Sequence, residues 1–248
     1  MSRIRLFSIT LLIIGLCLIQ ALKVLAGPPF LTDDPVPTDY QHWETYLFAQ
    51  GEHEHNGYTV NGPAVELNYG GLPDTQFSLT IPVTWVGGEA PHASGLDDLL
   101  VGVKYRFLQE TNGWPQISAY PQITLPTGDA ARGLGLGRVS YELPVWLQKS
   151  WGPWTTYGGG GATWISTPGW DNYGFAGWLL QRDLNEHLSL AGEVYAQSQV
   201  ADDEHAFVAL NFGGTYQLTE HFSLLASVGH SIAGQPVMLW YAAIGFDW

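Results

Sequence analysis

Along most of this chain large apolar side chains recur at every second position, and the residues between them are small or polar. Phe77, Leu79, Ile81, Val83 and Trp85 alternate with Gln76, Ser78, Thr80, Pro82 and Thr84. Leu99, Val101, Val103, Tyr105 and Phe107 alternate with Asp98, Leu100, Gly102, Lys104 and Arg106. The final run sets Met238, Trp240, Ala242, Ile244, Phe246 and Trp248 against Leu239, Tyr241, Ala243, Gly245 and Asp247. A period of two is that of a β-strand with unlike faces, not of a helix. Twelve such runs lie near 42–50, 58–70, 75–86, 96–108, 115–125, 138–149, 154–165, 172–182, 187–198, 204–217, 221–232 and 236–248.

The connections between runs are of two alternating kinds. Gly71–Asp74, Glu110–Gly113, Ser150–Pro153, Asp183–Glu186 and Leu218–Glu220 read as tight turns. Glu52–Gly57, Gly87–Ser94, Thr127–Gly137, Ser166–Asp171, Val200–Glu204 and Ala233–Gln235 read as longer loops. An even number of strands, with short turns on one side and longer loops on the other, predicts a transmembrane antiparallel up-and-down β-barrel, all-β, of about twelve strands. The tight turns and both termini then face the periplasm.

A soluble sandwich also alternates, but its solvent face carries many charges. Here charged residues make up 13% of the chain, about half the usual share. Trp43, Trp85, Tyr105, Phe107, Trp114, Trp151, Trp154, Trp164, Trp240, Phe246 and Trp248 sit at run ends, as in the aromatic girdles of membrane barrels. Pro63, Pro82, Pro121 and Pro144 each remove a ladder donor and predict bulges or kinks. Gly158–Gly161 predicts a close approach inside the lumen or a sharply coiled strand, and the register of run 172–182 is open.

The first residues read as an export signal, residues 1–26. Arg3 and Arg5 precede an apolar run from Leu6 to Leu22, and Val24-Leu25-Ala26 offers a small-residue cleavage site before Gly27. Removal of Arg3, Arg5 and Lys23 leaves six basic residues against 23 acidic ones, a charge of −17, which argues against a nucleic-acid partner. The one cysteine, Cys17, leaves with the signal, so no disulfide or thiolate site remains. Residues 27–41 form a segment before the barrel, expected on the periplasmic side. Two addresses are open to it: folded into the lumen as a small plug, or hanging free.

Several stretches carry a family resemblance. They are Gly27-Pro28-Pro29-Phe30-Leu31-Thr32-Asp33-Asp34-Pro35, Leu125-Pro126-Thr127-Gly128-Asp129, Arg132-Gly133-Leu134-Gly135, Leu143–Ser150, Gly152–Gly161 and Leu179–Leu184. Together they resemble a family of outer-membrane transporters described as the meta-pathway of phenol degradation family. The resemblance implies a barrel in the bacterial outer membrane that admits small, including aromatic, compounds. It assigns no substrate-contacting residue.

The alternation directs seven charged residues into the lumen: Glu44, Glu66, Asp98, Lys104, Arg106, Glu142 and Glu193. A charge on the lipid face at mid-depth costs up to about 2–4 kcal/mol, so the lumen is the tolerable address. Two readings follow: a polarised pore in which carboxylates oppose Lys104 and Arg106 across a constriction, or a salt-bridge network that plugs a narrow barrel. The expected partners are outer-membrane lipid and lipopolysaccharide, a small-molecule solute, and the barrel assembly machinery through the terminal Phe246 and Trp248. No cofactor is implied. His53-Glu54-His55 with Glu52 lacks a third metal ligand in view and reads as a solvated loop, and Asp202-Asp203-Glu204 is a candidate for divalent cations at the lipopolysaccharide surface. Gly133, Gly135 and Gly137 precede no helix and read as a flexible loop rather than a phosphate cradle.

The function expected from these observations is a passive outer-membrane channel for small molecules. A closed structural or surface-binding barrel is the alternative. A lipid hydrolase is the third class, with His92, Ser94, His230 and Ser231 as its only reactive candidates; His230 and Ser231 are adjacent and point to opposite faces.

Overall fold

The computed structural model describes residues 29–55, 57–88, 92–201 and 205–248. The expected signal and cleavage site, and Asp202-Asp203-Glu204, lie outside the described residues. Within them the period-two pattern becomes β1 (Trp43–Glu54), β2 (Gly57–Leu72), β3 (Thr75–Gly88), β4 (Ala93–Leu96), β5 (Leu99–Leu108), β6 (Gln116–Ala119), β7 (Gln122–Leu125), β8 (Ser140–Trp151), β9 (Trp154–Ile165), β10 (Tyr173–Asp183), β11 (Leu188–Gln197), β12 (Phe207–Gln217), β13 (Phe222–Gly234) and β14 (Val237–Asp247).

These fourteen segments make twelve spans. β4 and β5 both pair with β3 and are one strand interrupted at Asp97-Asp98. β6 and β7 both lie between β5 and β8 and are one strand broken at Tyr120-Pro121. All neighbours are antiparallel, and β1 pairs with β14 from Glu44↔Asp247 to Glu54↔Val237. That last ladder closes the sheet, and among the described residues only the short β4 at the rim has a single partner strand.

The prolines sit where the ladder is irregular. Pro63 lies in the bulge between Asn61 and Ala64, and Pro82 pairs with Ala64 just beyond it. Pro121 and Pro144 flank each other, so that Val103 N–H donates to the Pro121 carbonyl and Tyr120 N–H to the Pro144 carbonyl. Two expected long loops are short: β1 runs on to Glu54, since its ladder with β2 reaches His53↔Tyr58, and β13 runs on to Gly234 by pairing with β12, beyond the end of its ladder with β14 at His230↔Met238. The open register of β10 resolves with Phe175, Gly177 and Leu179 inward and Ala176, Trp178 and Leu180 outward.

The outer wall is apolar. Leu47, Val101, Val145, Leu190, Val194, Phe212, Val228 and Ile244 are all exposed on the outward face, Phe212 by 64%. A continuous belt of this kind exceeds what a protein leaves facing water, and it suits a lipid bilayer. Aromatic rings crowd the tight-turn end: Trp43 stacks on Tyr69 and Trp248, and Phe246 on Phe222 and Trp248. Trp85, Tyr141 and Trp164 mark the opposite rim. Trp178 departs from the girdle pattern. It lies on the mid-wall over Gly158, where a Cβ would come within 2.5 Å of its ring.

Candidate functional site

The lumen is occupied by the chain's own N-terminal segment. Of the two addresses the sequence leaves open for it, residues 29–40 take the interior. The segment hooks onto the tight-turn end, where Tyr40 bridges Gly70 and Gln41 N–H donates to the Gly70 carbonyl at 2.7 Å. It then climbs. Thr38 N–H and its hydroxyl both donate to Gln76 Oε1, at 2.9 and 3.0 Å. Asp33 forms an ion pair with Lys104 Nζ at 3.0 Å. The Thr32 and Leu31 N–H groups donate to the two oxygens of Glu193. At the far end the Ser227 hydroxyl donates to the Pro29 carbonyl.

The wall is shaped for this crossing. Trp146, Gly159, Gly177, Tyr195 and Ala209 follow one another in register across five strands, on the inward face. Large rings at Trp146 and Tyr195 fill the lumen, and the small residues between them leave a channel for the segment. A Cβ at Gly177 would stand 1.8 Å from Thr32 Oγ1, so a side chain there requires the Thr32 hydroxyl to move or be replaced. A Cβ on Gly159 would stand 2.0 Å from the Val145 carbonyl and 3.0 Å from the Trp146 ring, so this glycine lets the β8 backbone approach closely, while Gly158 beds Trp178 on the outside.

The seven predicted lumen charges separate into four groups. Lys104 and Glu193 hold the plug. Lys104 is buried against the Tyr120 ring, 5.0 Å from its centroid, and Glu193 also accepts from Asn211 Nδ2. Arg106 lies near the tight-turn end and binds Asp74 at 2.6 Å and Gln116 at 3.1 Å. The counter-charges of Lys104 and Arg106 are thus Asp33 and Asp74, one in the plug and one in a turn, rather than wall carboxylates opposite them. Glu44 and Glu66 sit on inward positions of β1 and β2 facing the plug, with Glu66 accepting from Asn68 at 2.9 Å.

Asp98 and Glu142 belong to the long-loop half. Asp98 accepts from Gly128 N–H at 2.9 Å and Leu136 N–H at 2.7 Å, which ties the 128–136 loop to the barrel mouth. Leu134, packed in that loop, is fully buried. Glu142 accepts from Gln122 at 3.1 Å and Thr163 at 2.9 Å, and it lines a cavity of about 330 Å³ that Leu136 partly covers.

Above the plug lies a larger vestibule of about 530 Å³, open toward the long loops. Phe30 and Leu31 form its floor, and Gln50, Glu52, Asn61, Asn211 and Tyr241 line its walls, with Trp170 contributed by the 166–171 loop. Two ionisable groups outside the strands are displaced from their ordinary range. Burial pushes the Asp34 carboxyl up to about 7, against the opposing pull of Lys104 and with the help of Asp33. The Arg106 guanidinium holds the Asp74 carboxyl below the usual carboxylate range.

Sequence reasoning missed Thr32, Asp33, Thr38 and Gln76 as site residues. A signal existed for Asp33, since Lys104 is an inward cation that needs a counter-charge. None existed for Thr32 and Thr38, which bind largely through backbone N–H groups.

By fold, the barrel is similar to solved porins and translocators. The NanC porin superposes with a TM-score of 0.58 at 9% identity, over 82% of this chain and 98% of that one. The translocator domain of autotransporter NalP from Neisseria meningitidis gives 0.55 at 11% identity, over 83% and 88%. The KdgM porin in complex with disordered oligogalacturonate gives 0.54 at 7% identity, over 81% and 98%. No curated protein matches the chain by sequence. A family model does: it spans residues 45–238, which takes in the stretches between Leu125 and Leu184 that carried the resemblance, and the chain belongs to the family described as "Putative MetA-pathway of phenol degradation".

Proposed function

We propose that this chain is a channel of the bacterial outer membrane that passes small molecules by passive diffusion, with residues 29–38 as the plug of its resting state. The observation that carries this reading is how the lumen is blocked. Packed rings of Tyr120, Trp146, Phe175 and Tyr195 fill one side of the lumen, and the rest is closed by a docked segment held by hydrogen bonds and one ion pair. The segment's polar contacts exchange for water at small net cost, so the segment can leave and open a passage beside the rings. The vestibule with Phe30, Trp170 and Tyr241 favours solutes with an aromatic or hydrophobic body. In this reading the apolar belt faces outer-membrane lipid and lipopolysaccharide, and the stacked Phe246 and Trp248 are the handle for barrel assembly.

No catalytic step is part of the proposal. His230 points outward and bonds the Ser231 carbonyl, while the Ser231 hydroxyl accepts from Val237 N–H. His92 contacts the Tyr58 hydroxyl at the rim. The occupied lumen itself favours a second reading, a closed structural or surface-binding barrel. Single-channel recording of the purified barrel in a planar bilayer, with the reversal potential across a salt gradient, separates them: discrete steps support the channel, and silence at every pH supports the closed barrel.

A further inference from the structure

The vestibule walls carry one sign of charge. Glu52 and Glu54 of β1 line the main cavity and Glu142 lines the adjoining one, with Glu52 and Trp170 common to both. Among the described residues, neither lining includes a lysine or arginine. The barrel's inward cations lie lower and are paired, Lys104 with Asp33 and Arg106 with Asp74. At the mouth, Arg132 and Arg138 are spent on the Ser94 and Ser166 carbonyls.

A second observation is independent of the carboxylates. Asn211 is 3% exposed and lines the vestibule, and its amide nitrogen is committed to Glu193. Its Oδ1 receives no donor. A buried carbonyl left without a donor costs free energy; this oxygen lies against Gly229, 1.4 Å from where a Cβ would stand, and an N–H group of a bound molecule removes that cost once the Asn211 side chain turns toward the cavity. Ring faces complete the surroundings: Trp170, 41% exposed on its loop, and Tyr241 on β14. Aromatic faces attract cations, more strongly when water is partly excluded.

Carboxylates, a donor-starved carbonyl and ring faces around a closed-bottomed cavity share one preferred ligand chemistry. We propose that the vestibule is a binding station for small organic ammonium ions, with the cationic nitrogen toward Glu52, Glu54 and Asn211 and the apolar body against Trp170 and Tyr241. This deepens the channel reading, on which it rests for the ion's onward passage. The binding step itself needs no conduction.

The test is calorimetry on the full mature barrel in detergent, with benzylammonium, benzyl alcohol and benzoate as probes of one shape and three charges. Benzylammonium is expected to bind at least about tenfold tighter than benzyl alcohol, and benzoate not at all. Glu52→Gln with Glu54→Gln should remove that preference while leaving the barrel folded by circular dichroism. Trp170→Leu, on a loop outside the barrel wall, should weaken benzylammonium several-fold with the charges intact. Equal binding of the three probes, or a preference that survives both variants, overturns the proposal. Conductance recorded on the same preparations keeps the two readings apart. A silent barrel that binds benzylammonium selectively retains the site and loses the channel, and a conducting barrel blind to charge does the reverse.

Discussion

Lys104 of β5 and Asp33 of the N-terminal segment meet inside the barrel at 3.0 Å, and this is the ion pair that ties plug to wall. The lysine side chain is 5% exposed and the aspartate 20%. Removing one partner leaves the other buried without its counter-charge, which costs more than the pair itself contributes. Lys104→Met should therefore weaken docking by about 2 kcal/mol, a shift of roughly thirtyfold in the ratio of docked to undocked molecules. The measurement is open probability in a planar bilayer, which should rise. Lys104→Asp combined with Asp33→Lys should bring it back down, and a swap that fails to do so contradicts the pairing.

The same geometry changes what a double reversal of Lys104 and Arg106 to glutamate would do. A bare pore lined by these cations would turn cation-selective. Here Lys104→Glu acts first by expelling the plug, while Arg106→Glu acts on the turn at Asp74. Recording the two variants separately should give frequent opening for the first and near-normal gating for the second.

Asp34 makes docking depend on pH. Its carboxyl rises from 3.8 to about 7 in the docked segment, so the docked state favours the protonated form. Docking is then strongest below about pH 4, weakens as pH rises from 3.8 toward 7, and stays at its weakest above that. Lys104, Asp33 and Glu44 face the same region and contribute to the slope. Open probability measured from pH 4 to 8 should climb through this window, and Asp34→Asn should flatten the climb.

Asp74 behaves in the opposite sense. Arg106 holds its carboxyl below 3.8, so the stabilisation is present above that value and is lost as pH falls further. Arg106→Gln should lower the stability of the folded barrel at pH 7, read as the temperature at which heat-modifiable gel mobility changes, and the gap from the parent should shrink as pH falls toward 3.

Asp98 anchors the loop at the mouth. Asp98→Ala removes acceptors for the Gly128 and Leu136 N–H groups and should loosen residues 128–136. Limited proteolysis should cut there at least about tenfold faster, since two charge-assisted hydrogen bonds at roughly 1.5–3 kcal/mol each are lost. Gly135→Ala should do the same by another route. Gly135 has φ +92°, and a Cβ on it would meet Asp98 Oδ1 at 2.3 Å.

The wall was legible in the sequence and its contents were not. Phe77 and Gln76, or Val101 and Leu100, differ enough in polarity for alternation to assign their faces, and a one-residue slip would reverse every assignment. Lys104 and Glu193 were placed in the lumen on that basis. The plug stayed one of two open addresses because residues 29–40 carry no periodicity and dock by backbone N–H groups, which every sequence has. Asp98 was assigned a pore role because alternation gives a side chain's direction, not its partner, and a loop 30 residues away supplies that partner. Gly177 held the clearest unused signal: a glycine in an inward row, between Trp146 and Tyr195, marks where something passes close.

The account's central claim is that residues 29–38 block a passage and can leave it. With Cys17 assigned to the signal, no other cysteine occurs in the chain, so Thr32→Cys with Gly177→Cys introduces a single pair. The Thr32 Cβ stands 3.1 Å from the Cβ position at Gly177, close to the usual disulfide spacing of about 3.5–4.5 Å. The decisive measurement is single-channel conductance of this variant at pH 8, oxidised and then reduced in the same bilayer. The account predicts a silent barrel when oxidised and discrete conductance steps after reduction, and equal conductance in the two states would contradict it.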